Sequence, residues 1–216
     1  SNAGFQLLEE LKCYRDICVH EGWCSGSDMV LQTQFSDSEG LLDTAYYSLK
    51  RLNIKNLKVI SEQIITDNFE EYTIKTEPGV CRISANDTEG IRRGIYFLID
   101  LLRMMSPTEF ANREWRRTPW LKRRISRCFF GPIKRPPMNR DELTDDVDYY
   151  PEAYLERLAS EAVNALWISI SMDDLCVTKF TLGAAPDKEK RFAKLQRTVD
   201  KCRRYGIKIY LFCNEP

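Results

Sequence analysis

Histidine is almost missing from this chain. His20 is the only one in 216 residues, and the eight cysteines contain no Cys-x-x-Cys pair. Cys13, Cys18 and Cys24 are spaced by four and five residues, which fits no zinc-ligand pattern, so neither a metal site nor a metal cofactor is expected. Cys128, Cys176 and Cys213 have apolar neighbours and read as small buried hydrophobes, with all thiols reduced. Net charge is also lacking: thirty-two basic and thirty-two acidic side chains cancel. No whole-chain field then favours nucleic acid or an anionic membrane surface. Residues Gly4 to Leu8 lack the apolar run of a secretory leader, and Ser1-Asn2-Ala3 has the form of a scar from tag removal, so compartment is not legible.

What is present is enough for a folded molecule. A 43% hydrophobic and 30% charged composition supports one sizeable core or two small ones and argues against disorder and membrane insertion. Phe5 to Val19 carries helical apolar spacing and leads the chain over residues 1–27. A first α+β unit is expected over residues 28–107. It has a strand over Asp28–Phe35, then a helix over Glu39–Leu52 capped by Ser36 or Ser38. Extended runs follow at Leu57–Ile65, Tyr72–Thr76 and Val80–Ser84, the last two joined by the turn Glu77-Pro78-Gly79. Asn86-Asp87-Thr88 then caps a helix to about Met105, with Ile91, Ile95, Leu98, Ile99 and Leu102 on one face, and Ser106-Pro107 stops it.

Residues 108–122 lose periodicity and read as a basic linker. Arg113, Arg116, Arg117 and Lys122 mix there with Trp115 and Trp120, and the basic run goes on through Arg123, Arg124 and Arg127. Aromatics among arginines suit single-stranded nucleic acid, but one such segment in a neutral chain is better explained by tryptophans plugging into cores and arginines pairing with the acidic stretch Asp141–Asp148. No nucleic-acid partner is expected.

From residue 123 to residue 216 strands and helices alternate. Strands are expected at Ile125–Phe130, Ala165–Ser171 and Ile207–Cys213, with helices from Pro151 to Val163 and from Lys188 to Tyr205. Phe192, Leu195, Val199 and Cys202 should face inward, and Gly206 should close the second helix. Runs apolar on both faces and joined by short helical crossovers predict parallel strands, an α/β arrangement of about three strands of an incomplete (β/α) TIM-type barrel. In such folds ligands gather beyond the carboxyl ends of the strands. The polar strand tails Asp173-Asp174 and Asn214-Glu215 are therefore candidate site residues, together with Arg127 on the first strand. Asp173 and Asp174 can hold a ligand hydroxyl or cap the next turn. Arg127 can reach a ligand or pair with Asp145 or Asp146. The unpaired edge of the last strand invites a second copy of the chain.

The run Asp87-x-x-Gly90-x-x-x-Gly94 leading into Tyr96 and a leucine-rich helix resembles the small α+β domain that precedes the catalytic barrel in glycoside hydrolases of the family 20 (β-hexosaminidase) and α-glucuronidase type. Residues 123–216 are similar to the first strands of such a barrel, and the domain order matches. Where that barrel opens with an Arg-Gly pair, this chain has Arg124-Ile125-Ser126-Arg127, which makes it a divergent relative. The resemblance implies an enzyme cleaving glycosidic bonds of oligo- or polysaccharides, with a carbohydrate as partner and no cofactor. It also implies that the catalytic Asp-Glu pair follows a fourth strand beyond Pro216, so that these 216 residues are an N-terminal fragment inactive alone. Asn214-Glu215-Pro216 is also similar to the Asn-Glu-Pro of another glycosidase clan, in which the Glu is the acid, although there it follows the fourth strand and here the third. Glu215 is thus either a catalytic acid, a substrate contact or structural. A non-catalytic carbohydrate- or protein-binding module is the alternative.

Overall fold

The computed structural model describes residues 19–127, 139–171, 175–177, 179 and 187–214, with Ser171, Cys213 and Asn214 described by backbone alone. The leading helix expected over Phe5–Val19 lies, but for Val19, outside these residues. The described residues divide into two compact units, one over residues 19–122 and one from residue 123 onward.

In the first unit β1 (Val30–Thr33), α1 (Asp43–Lys50), β2 (Lys58–Gln63), β3 (Tyr72–Glu77), β4 (Val80–Ala85), α2 (Thr88–Met104), α3 (Pro107–Phe110) and β5 (Glu114–Arg117) follow in order. The sheet order is β1-β2-β4-β3-β5. β1, β2 and β4 run parallel, whereas β3 is antiparallel to both β4 and β5. Alternation in β3 and β4 sends Ile74, Cys81 and Ile83 into a core shared with Ile91, Ile95, Leu98 and Leu102 of α2. The hairpin turns at Gly79, whose φ of 72° is left-handed, as the Pro-Gly pair predicts.

The Asp87-x-x-Gly90-x-x-x-Gly94 run is explained by packing. Asp87 caps α2: Oδ1 accepts from Gly90 N at 2.7 Å, and Oδ2 accepts from Glu70 N at 2.9 Å, which holds Glu70 at its left-handed φ of 56°. A Cβ on Gly90 would stand 2.6 Å from the Glu71 carbonyl oxygen and 2.7 Å from Ala85 Cβ. One on Gly94 would stand 2.4 Å from Ile83 Cγ2. Only glycine lets this helix lie so close on the sheet.

Two expectations for this unit are corrected. α1 begins at Asp43 rather than Glu39, because Gly40 adopts a φ of 66° and breaks the first turn. Its orphan amides at Leu41 and Leu42 are met by the Asp37 carboxylate rather than by Ser36 or Ser38. The segment read as a linker contributes part of α3, which starts from a Ser106/Glu109 capping box, and all of β5. Trp115 packs edge-on to Phe97 with ring centroids 6.2 Å apart, but Trp120 is 96% exposed and plugs into nothing. Three of the arginines expected to meet Asp141–Asp148 have partners within their own unit. Arg116 binds Glu71 at 2.8 Å, Arg117 lies 4.1 Å over the Phe97 ring, and Arg113 Nε donates to the Glu109 carbonyl.

In the second unit β6 (Ile125–Arg127), α4 (Glu152–Ser160), β7 (Ala165–Ser171), α5 (Lys188–Arg203) and β8 (Lys208–Asn214) build an all-parallel sheet in the order β6-β7-β8. The amino ends of the strands are tied together by Asn164. Its Oδ1 accepts from Arg124 N at 2.8 Å and its carbonyl accepts from Lys208 N at 3.0 Å. α4 stops at Ser160, ahead of the left-handed Ala162, and Gly206 closes α5 at a φ of 70°.

The sheet is not buried on both faces. Leu166, Ile168 and Ile170 of β7 are buried, as are Leu155 and Ala159 of α4 and Cys202 on α5. On the opposite face Trp167 and Ser169 are half-buried, and Leu211 and Phe212 of β8 are 45% and 52% exposed. Phe192, expected inward, is 46% exposed, because Arg191 takes the buried position next to it on α5. Of the cysteines expected to be buried, Cys176 is half-buried, Cys128 lies outside the described residues, and the side chain of Cys213 is not described.

Candidate functional site

Parallel strands expose their carbonyl ends and the following loops along one edge, where polar groups can converge without breaking the sheet. In the second unit that edge is set by the pairing Ser171↔Asn214, which brings the carboxyl ends of β7 and β8 side by side. Asn214 is therefore placed at the edge by its backbone. Asp173, Asp174 and Glu215 lie outside the described residues.

Arg127 stands elsewhere. Its register partner is Trp167, four residues before Ser171, which at about 3.3 Å per residue puts it roughly 13 Å short of the Ser171–Asn214 level. It does not pair with Asp145 or Asp146. Its guanidinium lies 5.1 Å over the Trp167 ring, and that ring contacts Phe212 at 5.1 Å between centroids. Arg127, Trp167 and Phe212 thus form a continuous stack across all three strands on the more exposed face of the sheet.

The acidic stretch Asp141–Asp148 is anchored along α5. Asp141 binds Arg191 at 2.8 Å, Asp148 binds Lys201 at 2.6 Å, and Lys194 Nζ donates to the carbonyls of Asp145 and Val147, so residues 141–150 lie against α5. Tyr149 donates its hydroxyl to Asp145 Oδ2 at 2.6 Å, and burial beside that carboxylate pushes the phenol upward. These contacts occupy the Asp145 carboxylate, one of the two acids that Arg127 was expected to meet. A cleft of about 540 Å³ runs between this segment and α5, with Asp146, Tyr150, Lys190, Lys194 and Arg197 among its walls.

Sequence reasoning missed Glu142. It is 4% exposed, Tyr150 donates its hydroxyl to Oε1, and Oε2 has no hydrogen-bond partner among the described residues. Burial raises its carboxyl to about 7, against the opposing effects of the Tyr150 hydrogen bond and the Lys194 charge. The signal available was the apolar and aromatic flank of Leu143, Tyr149 and Tyr150, all buried, within a run otherwise read by charge alone. Among the described residues no group of three or more His, Cys, Asp or Glu side chains is arranged to hold a metal. No helix of the described residues is long and apolar enough to cross a membrane.

In fold the chain resembles glycoside hydrolases. It superposes on a GH138 enzyme targeting pectin rhamnogalacturonan II with a TM-score of 0.62 at 15% identity, covering 86% of this chain and 24% of that one. Against a β-N-acetylhexosaminidase from Bacteroides fragilis the TM-score is 0.56 at 12% identity, covering 88% of this chain and 41% of the other. A mutant β-hexosaminidase from Streptomyces plicatus, solved in complex with its product GlcNAc, gives 0.54 at 14% identity, covering 91% and 45%. The chain thus spans less than half the length of each. No protein-family model and no curated protein sequence matches it.

Proposed function

We propose that this chain is the N-terminal part of a glycoside hydrolase acting on oligo- or polysaccharides, an α+β accessory unit followed by the opening strands of a (β/α) TIM-type barrel. The observation that carries this reading is the order of parts: a five-stranded mixed sheet followed by an all-parallel β6-β7-β8 triplet with a helix in each crossover, in a chain whose likeness to glycoside hydrolases covers 86% or more of its length. The polar tails at the carboxyl edge, Asp173, Asp174, Asn214 and Glu215, are the proposed sugar contacts, whereas Arg127 stays with its stack on Trp167.

Glycosidic cleavage needs a carboxylic acid to protonate the leaving oxygen and a second carboxylate, or a substrate amide, to stabilise the cationic transition state, with retaining pairs about 5 Å apart. In this reading the acid pair belongs to a later strand, so the 216 residues contribute binding rather than turnover. A panel of chromogenic glycosides tests this on the full-length gene product and on the 216-residue chain. Hydrolysis by the former and none by the latter is expected. A full-length protein that binds saccharide but hydrolyses nothing would make it a binding module instead. The open edge of β8, flanked by exposed Leu211 and Phe212, is where a second copy would pair. A strictly monomeric mass in light scattering would remove that part of the reading.

A further inference from the structure

We propose that residues 141–150 form a pH-gated strap, held along α5 while Glu142 is protonated and loosened when Glu142 ionises. This proposal does not rest on the glycoside hydrolase reading. Its basis is geometric. The strap has three external anchors, Asp141 on Arg191, the carbonyls of Asp145 and Val147 on Lys194, and Asp148 on Lys201. All three lie on the α5 side. Inside them sits Glu142, 4% exposed, with one carboxyl oxygen on the Tyr150 hydroxyl and the other with no partner among the described residues.

A neutral carboxyl tolerates that environment. A carboxylate there leaves a charged oxygen desolvated and unpaired, at a cost burial does not return. Asp141 faces Glu142 from its own segment, with the hydroxyls of Tyr149 and Tyr150, and Lys194 faces it from α5. Arg191 is occupied by Asp141 and Lys194 by backbone carbonyls, and Asp141 adds repulsion. Opening the strap returns Glu142 to water and widens the cleft of about 540 Å³ along α5. The acid is stabilised in the closed form, so closure is strongest below the ordinary carboxyl range, near 4.5, and weakens as pH rises through about 7. Within that window the opening constant grows up to tenfold per pH unit.

Hydrogen exchange of the Leu143, Asp145 and Tyr150 amides, each hydrogen-bonded within the strap, reads this directly. After correction for intrinsic rates, protection should fall by roughly ten- to a hundredfold between pH 5 and pH 7.5 in the native chain, while β7 amides stay constant. Glu142→Gln keeps the shape without the charge and should flatten the dependence. Tyr150→Phe removes the hydroxyl that donates to Glu142 and favours the carboxylate, and should move the midpoint upward. A native strap indifferent to pH, a Glu142→Gln variant that keeps the full dependence, or a downward shift in Tyr150→Phe would each overturn the proposal.

Discussion

Gly90→Val should abolish or severely weaken folding of the five-stranded unit. The Cβ alone would lie 2.6 Å from the Glu71 carbonyl oxygen and 2.7 Å from Ala85 Cβ, and valine adds two methyls to that overlap. The first neighbour is backbone and the second is a β-carbon on β4, so no side-chain rotation relieves the clash. Relief requires α2 to lift from the sheet that buries Ile91, Ile95, Leu98 and Leu102. Overpacking of this kind costs about 3 kcal/mol or more. For a unit of this size that is a fall in Tm of more than about 10 °C. Met104→Ala, at a side chain 68% exposed on the same helix, should change stability by less than about 0.5 kcal/mol. Equal melting temperatures for Gly90→Val and the native chain would contradict the close approach of helix and sheet.

The second large effect is at Glu71. This carboxylate is 2% exposed and accepts hydrogen bonds from Thr118 Oγ1 at 2.8 Å, Asn68 Nδ2 at 2.7 Å, Arg116 Nη2 at 2.8 Å and Thr66 Oγ1 at 3.1 Å. It clasps the β2–β3 connection to the chain around β5. The Thr118 and Asn68 bonds, more than the Arg116 charge, hold its carboxyl down at about 2 against the opposing effect of burial. A group depressed in this way stabilises the folded state above the unfolded value of about 4.5, and that contribution drains away as pH falls toward 2. The depression corresponds to about 3 kcal/mol, of which about 2 is lost by pH 3. Urea unfolding of the native chain should show that loss, whereas Glu71→Gln should start less stable by a similar amount at pH 7 and lose this component on acidification. Parallel stability profiles for the two proteins would refute the clasp.

Strong local chemistry made much of the fold legible in the sequence. The Pro78-Gly79 turn, the Asp87 cap and the seventeen-residue amphipathic α2 are encoded by residues whose preferences survive any tertiary setting. The parallel triplet was legible because β7 and β8 are apolar runs separated by a helix with Gly206 at its end. β5 was not, because Glu-Trp-Arg-Arg carries no alternation, and it becomes a strand only because the edge of β3 accepts it. The length of α1 turned on one left-handed Gly40. In the candidate site, the backbone position of Asn214 follows from strand register. The place of Arg127 does not, since its stack on Trp167 is a contact across strands that no local pattern announces. Glu142 was hidden for the opposite reason, because its run was read only as partners for arginines, whereas the neighbouring tyrosines and Leu143 bury it.

The central claim is that saccharide is handled at the carboxyl edge of the parallel sheet. Chemical-shift mapping of the 216-residue chain, titrated with GlcNAc and with pectic oligosaccharides, tests it most directly. The account predicts saturable shifts concentrated at Ser171, Asn214 and the residues following β7 and β8, with the five-stranded unit silent. Shifts confined to the five-stranded unit, or none with any saccharide at millimolar concentration, would contradict it.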